Sequence, residues 1–223
     1  MDFYQAPPRL KNLFEQDTAL QRELTRRLPA DLMKRVRPVL EEMGRLVVEE
    51  VKTLGDEAEA HPPVHIPYDP WGKRIDEIRV SGAWNRLKEF SARQNLIATG
   101  YDESLGDRKR VVQAALLHLF SASSATYSCP LAMTDAAARV LLDIAPAPLR
   151  DRLVPQLIST EITSGQWMTE RSGGSDVSGT STLAHKIDGN RYALSGAKWF
   201  TSAITSEMAL TLAKIEGSDK LSL

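Results

Sequence analysis

After Ser159 the spacing of apolar residues changes, and that change constrains the fold of this 223-residue chain more than any other feature. Upstream, apolar residues recur three and four apart, the repeat of a helix that buries one face. Downstream the repeat is two: Thr182, Ala184 and Lys186 alternate with Leu183, His185 and Ile187. Asp188-Gly189-Asn190 then turns the chain back into Tyr192 and Leu194, a hairpin signal. Met208, Leu210 and Leu212 start another strand, and Leu221-Ser222-Leu223 reads as strand sequence with no closing element. An edge left open there predicts a fragment of a longer chain. Helices followed by strands predict an α+β protein. The helical part is expected over residues 1–160 and the strand part over 161–223.

Within the helical part, Asp17 is placed to cap a helix whose Leu20, Leu24 and Leu28 share one face until Pro29. Asp31 opens the next helix, which Pro38 either kinks or restarts. Val39, Met43, Leu46, Val47, Val51 and Leu54 continue an apolar stripe, with Gly55 read as the C-terminal cap. Residues 55–80 are expected to be irregular, with a β-turn at Asp69-Pro70-Trp71-Gly72. His61 and His65 are four apart, but Pro62 and Pro63 remove the helical geometry that would converge them on a metal, so no metal ligand is assigned. Ser81 caps a helix carrying Trp84, Leu87, Phe90 and Leu96 to about Ile97, with Gly100 past its end. From Val111 to Phe120 almost no polar face remains, which predicts a central helix with His118 as a core histidine. Helices from Thr134 to Ile144 and from Pro148 through Leu157 complete this part.

Charge narrows the function classes. The 28 basic and 29 acidic residues leave a net charge of −1, so no global basic excess argues for nucleic acid or a membrane surface. Arg108-Lys109-Arg110 is too short to track a phosphate backbone. No apolar run approaches the roughly 18 residues of a spanning helix, and the N-terminus lacks the pattern of a secretory signal. The single Cys129 excludes an internal disulfide and fits a reducing compartment, so a cytoplasmic location is expected.

The segment Met168-Thr-Glu-Arg-Ser-Gly-Gly-Ser-Asp-Val-Ser-Gly179 concentrates the polar chemistry. Paired glycines beside a serine let backbone approach a ligand closely and aim successive N–H groups at one anion. Composition alone favours a polar surface turn between two strands. Gly174 and Gly179 have P-loop spacing, but Thr180 stands where the lysine belongs, and the dinucleotide glycine fingerprint is absent. Further on, Trp199 and Phe200 read by themselves as core aromatics of a strand.

Met168-Thr169-Glu170-x-x-Gly173-Gly174-Ser175-Asp176 resembles the first signature of the acyl-CoA dehydrogenase flavoproteins. Tyr192-Ala-Leu-Ser-Gly196-Ala-Lys198-Trp199-Phe200-Thr201-Ser202 resembles the second, at the spacing that family uses. His61-Pro62-Pro63, Tyr68-Asp69, Gly72-Lys73-Arg74-Ile75-Asp76, and Ser128-Cys129-Pro130 with Met133-Thr134 are similar to its AidB branch, associated with the adaptive response to alkylation.

The resemblance implies an N-terminal helical domain followed by part of an antiparallel β-barrel. It implies FAD as cofactor, an acyl-CoA thioester as substrate and an electron-transfer acceptor. In such enzymes a glutamate removes the α-proton while the β-hydride passes to flavin N5. The cofactor site carried over is Gln166, Trp167, Met168, Thr169, Gly174, Ser175, Phe200, Thr201 and Ser202. In that reading Ser175 meets the pyrophosphate, Phe200 stacks beside the ring and Ser202 approaches N5. Trp167 stands where the family signature is usually small, and Phe200 and Ser202 replace the common tryptophan and threonine, as the AidB branch also does. The family's glutamate belongs to a C-terminal helical domain, and none of Glu161, Glu170 or Glu207 fits its motif, so no catalytic residue is assigned. Homo-oligomerisation is expected of the full-length protein, and DNA contact only through a basic C-terminal region. The alternative functions are an AidB-like DNA-protecting flavoprotein and a non-redox acyl-CoA or lipid-binding module.

Overall fold

The computed structural model describes residues 4–6 and 8–223, and the chain divides into two compact units between Ser128 and Cys129.

In the first unit, α1 (Leu13–Gln16), α2 (Thr18–Arg27), α3 (Ala30–Leu46), α4 (Lys52–Ala60), α5 (Gly82–Arg93) and α6 (Lys109–Ser121) surround one core. Asp17 caps α2 by accepting the Leu20 N–H at 2.8 Å, and Ser81 caps α5 by accepting that of Trp84 at 3.2 Å. Pro38 stays inside α3, which passes through a π-helical stretch, Val47–Val51, into α4. Phe14, Leu40, Met43, Val47, Leu87, Phe90 and Phe120 are fully or almost fully buried, with Phe90 stacked on Phe120 at 5.9 Å between ring centres.

Three expectations fail here for local reasons. Gly55 is no cap: it lies inside α4, where a Cβ would come within 2.2 Å of the Ser123 carbonyl oxygen. That close approach, rather than helix termination, is what requires a glycine. The stretch expected to be irregular contains the last turns of α4 and an antiparallel hairpin, β1 (Val64–Tyr68) and β2 (Arg74–Arg79). Its turn is the expected one, with Asp69 Oδ1 accepting the N–H groups of Trp71 and Lys73 at 2.9 Å each. His118 is not a core residue. Helix α6 has an exposed stripe at Arg110, Ala114, His118 and Ser121, and the His118 Nε2 lies 2.9 Å from Asp17 Oδ2. Small and long-stemmed residues four apart open a polar edge that hydrophobicity counting overlooked.

The second unit contains α7 (Ser128–Ile144), which starts six residues before the expected Thr134, and α8 (Ala147–Ile158). Buried Thr134 donates to the Pro130 carbonyl at 2.7 Å and accepts the Ser164 N–H at 3.0 Å, so a helix side chain positions the first strand. That strand, β3 (Ser164–Trp167), pairs in parallel with β6 (Met208–Thr211). A second sheet runs in the order β5 (Arg191–Ser195), β4 (Leu183–Asp188), β7 (Ala213–Ile215), β8 (Leu221–Ser222). Its antiparallel β4–β5 and β7–β8 pairs are joined by a parallel β4–β7 pair. The sheets are small and not closed, and the architecture is α+β, helices first. Among the described residues no helix is long and apolar enough to cross a membrane.

Candidate functional site

Strand β3 delivers the first polar segment. Pairing with β6 sets Gln166 opposite Leu210 and Trp167 opposite Thr211, whose hydroxyl donates to the Trp167 carbonyl at 2.8 Å. Beyond Trp167 the ladder ends. The chain closes into a tight turn in which Glu170 and Gly173 exchange N–H···O bonds of 3.0 and 3.1 Å. Gly173 is required there, since a Cβ would sit 2.3 Å from the Asp176 carbonyl oxygen. Gly174 lies against the Thr169 side chain, and its missing Cβ would be 3.0 Å from Thr169 Cγ2.

The second segment meets the first through backbone and side chains alike. The Trp199 N–H donates to the Thr169 carbonyl at 2.8 Å. The Trp167 indole Nε1–H donates to the Ser202 carbonyl at 3.0 Å. The chain turns with left-handed φ at Phe200 (56°), between these two links, and again at Ala203 (53°), just past the second, which non-glycine residues adopt uncommonly. Phe200 is thereby 76% exposed and lies edge-on to Trp199, 5.8 Å between centres. The Arg171 guanidinium sits over Trp199 at 5.9 Å.

Beneath this surface lies a buried ion pair. Lys198 Nζ donates to Glu170 Oε1 at 2.8 Å and to the Leu212 carbonyl at 2.7 Å. The same carboxylate accepts the N–H and hydroxyl of Ser181, at 2.7 and 2.6 Å, and those of Thr182, at 3.1 and 2.5 Å. The side chains are 3% and 10% exposed for Glu170 and Lys198. Burial works against the charged carboxylate. Lys198, Ser181 and Thr182 outweigh it and hold Glu170 well below the usual carboxylate range. Glu170 is therefore a fixed anion joining two segments, not a group poised to take a proton.

All nine residues singled out from the sequence lie in this second unit, on or beside the two segments that meet. Gln166, Gly174, Ser175, Phe200 and Ser202 are exposed, and Trp167, Met168, Thr169 and Thr201 are half-buried. Among the described residues nothing hydrogen-bonds to the N–H groups of Gly174 and Ser175. An exposed aromatic face, a half-buried hydroxyl and free N–H donors at a glycine turn form a donor set that suits a planar ring with an anionic tail. The residues present thus fit FAD chemically. Sequence reading missed the roles of Glu170 and Lys198. Both stand inside the two signatures, yet nothing local to either says that they meet.

Two family models account for nearly the whole chain: the adaptive response protein AidB N-terminal domain over residues 5–163, and the acyl-CoA dehydrogenase middle domain over residues 165–223. Acyl-CoA dehydrogenase family member 11 of Caenorhabditis elegans is 41% identical over 97% of the chain. The chain spans 37% of that relative's length. The solved structure of Caenorhabditis elegans ACDH-11 in complex with C11-CoA superposes with a TM-score of 0.92 at 40% identity, covering 99% of this chain and 39% of that one. The apo-form of Bd2924 gives the same TM-score at 52% identity, covering 97% and 45%. Matched in both of its parts, the chain belongs to the acyl-CoA dehydrogenase family, in its AidB-like branch.

Proposed function

We propose that this chain supplies the flavin-facing half of an FAD-dependent acyl-CoA dehydrogenase. The observation that carries the proposal is the 2.8 Å bond from Trp199 N–H to the Thr169 carbonyl, which holds the exposed aromatics of one signature beside the hydroxyl and glycine turn of the other. Bound FAD would supply the hydride acceptor for α,β-dehydrogenation of an acyl thioester. The residues of this chain bind and orient it. Phe200 offers a flat apolar wall that excludes water from one edge of the site, and Thr169 offers a hydroxyl. Gln166 and Trp167 at the end of β3, with Met168 just after it, would line the flavin. Gly174 and Ser175 offer N–H donors to phosphate, and Thr201 and Ser202 close the side where Trp167 holds the backbone. The relative solved with C11-CoA supports an acyl-CoA as substrate class.

The proton-abstracting base is not Glu170, which Lys198 holds as a fixed anion. Nor is it Glu207, which already accepts the Thr163 N–H at 2.7 Å. We assign the base to a segment outside residues 1–223, together with the contacts that would join subunits and an electron-transfer acceptor. The chain alone then binds FAD weakly and does not turn over. Titration of the protein with FAD, followed by dye-coupled oxidation of acyl-CoAs, tests this reading. Saturable flavin binding without turnover by residues 1–223 is expected; steady turnover by them, or no flavin binding, contradicts it.

A further inference from the structure

Arg171 stands at the tip of the turn closed by Glu170 and Gly173, exposed to solvent, with its guanidinium over the Trp199 ring. Among the described residues it has no carboxylate partner. The two nearest acids in sequence are engaged elsewhere. Glu170 is taken by Lys198, Ser181 and Thr182, and Asp176 accepts the Ser178 N–H at 2.9 Å. An aromatic face orients a guanidinium plane without neutralising it. Three and four residues further along the chain, the N–H groups of Gly174 and Ser175 have no hydrogen-bond partner among the described residues. A planar cation and two backbone donors on one short turn make a receptor for a tetrahedral oxyanion, because the guanidinium fork matches two phosphate oxygens at once.

We propose that Arg171, seated on Trp199, is a phosphate ligand that works together with the Gly174–Ser175 backbone. The proposal rests on the flavin reading for the identity of the phosphate, which is the pyrophosphate of the dinucleotide or a phosphate of coenzyme A. The stack on Trp199 couples the two: a phosphate on Arg171 is anchored to the same aromatic pair that walls the ring site.

The test is a set of dissociation constants for FAD, FMN, riboflavin, coenzyme A and pantetheine with the protein and with its Arg171→Gln and Arg171→Lys variants. If the flavin phosphates are the ligand, Arg171→Gln weakens FAD and FMN roughly tenfold and leaves riboflavin unchanged. If coenzyme A is the source, its affinity falls by a similar factor and that of pantetheine does not. In either case Arg171→Lys retains a good part of the affinity, as a point charge should. Equal weakening of phosphorylated and unphosphorylated ligands, or no change in any, overturns the proposal and leaves Arg171 a packing partner of Trp199. FAD bound normally by both variants sinks the flavin-phosphate assignment without touching the flavin reading. Failure of the unaltered protein to bind any flavin sinks that reading, while the coenzyme A arm still judges Arg171. Binding of none of the five ligands overturns both.

Discussion

Lys198 and Glu170 stand 28 residues apart in the chain, yet their charged atoms lie 2.8 Å apart in a site closed to solvent. Each belongs to a different signature, so the ion pair is the covalently remote but physically direct link between them. Removing one member leaves the other charged, buried and unpaired. Lys198→Met is expected to destabilise the protein by about 3–5 kcal/mol. Glu170→Gln combined with Lys198→Met should recover part of that loss, because no isolated charge then remains. Urea unfolding midpoints at constant m-value measure both. Equal stability of Lys198→Met and the unaltered protein would remove the pair from the account.

The same carboxylate sets a pH dependence. Its folded-state pKa is depressed from 4.5 by Lys198, Ser181 and Thr182 despite burial. A depressed acid contributes stability that is present above its unfolded value and is lost as pH falls toward the folded one. Stability should therefore decline below about pH 4.5, and Glu170→Gln should decline less steeply over that window. Denaturant midpoints from pH 6 down to pH 3 give the comparison, and parallel curves would exclude Glu170 as a contributor.

Trp167 predicts a separable effect. Trp167→Phe keeps an aromatic ring, smaller than the indole, and removes the Nε1–H that donates to the Ser202 carbonyl. A loss of about 0.5–1.5 kcal/mol is expected, with the Phe200–Ala203 turn loosened. Amide exchange over residues 199–204 should quicken while that of α7 and α8 stays unchanged. Uniform quickening across the second unit would mean that Trp167 acts through packing rather than through this bond.

Gly55 offers a check on the first unit. Gly55→Ala places a methyl within 2.2 Å of the Ser123 carbonyl oxygen, backbone against backbone, so α4 or the 123–125 segment must move. Overpacking of this kind costs about 1–3 kcal/mol, measurable as a fall in unfolding midpoint. A gain in stability, as helix propensity alone would give, contradicts the close packing.

How far the sequence could be read follows from which signals are local. Caps at Asp17 and Ser81, the turn at Asp69 and the β4–β5 hairpin depend on neighbours along the chain, and each stands where the pattern puts it. Gly55 and His118 misled because their settings are tertiary: one is defined by Ser123 and the other by Asp17. The two signatures could be read as motifs, but not the bonds that join them. Neither the Glu170–Lys198 pair nor the Trp167–Ser202 bond leaves a periodic trace. Parallel pairing of β3 with β6 was equally hidden, since 40 residues of turn and hairpin separate the two strands.

The most direct test of the account is flavin binding across the joined signatures. Titrating FAD into the protein and into Phe200→Ala, with flavin fluorescence as readout, should show saturable binding that the variant weakens roughly tenfold, the loss expected from one stacked aromatic. Binding of equal strength in both, or none in the unaltered protein, would contradict a flavin seated against Phe200 beside the Thr169 turn.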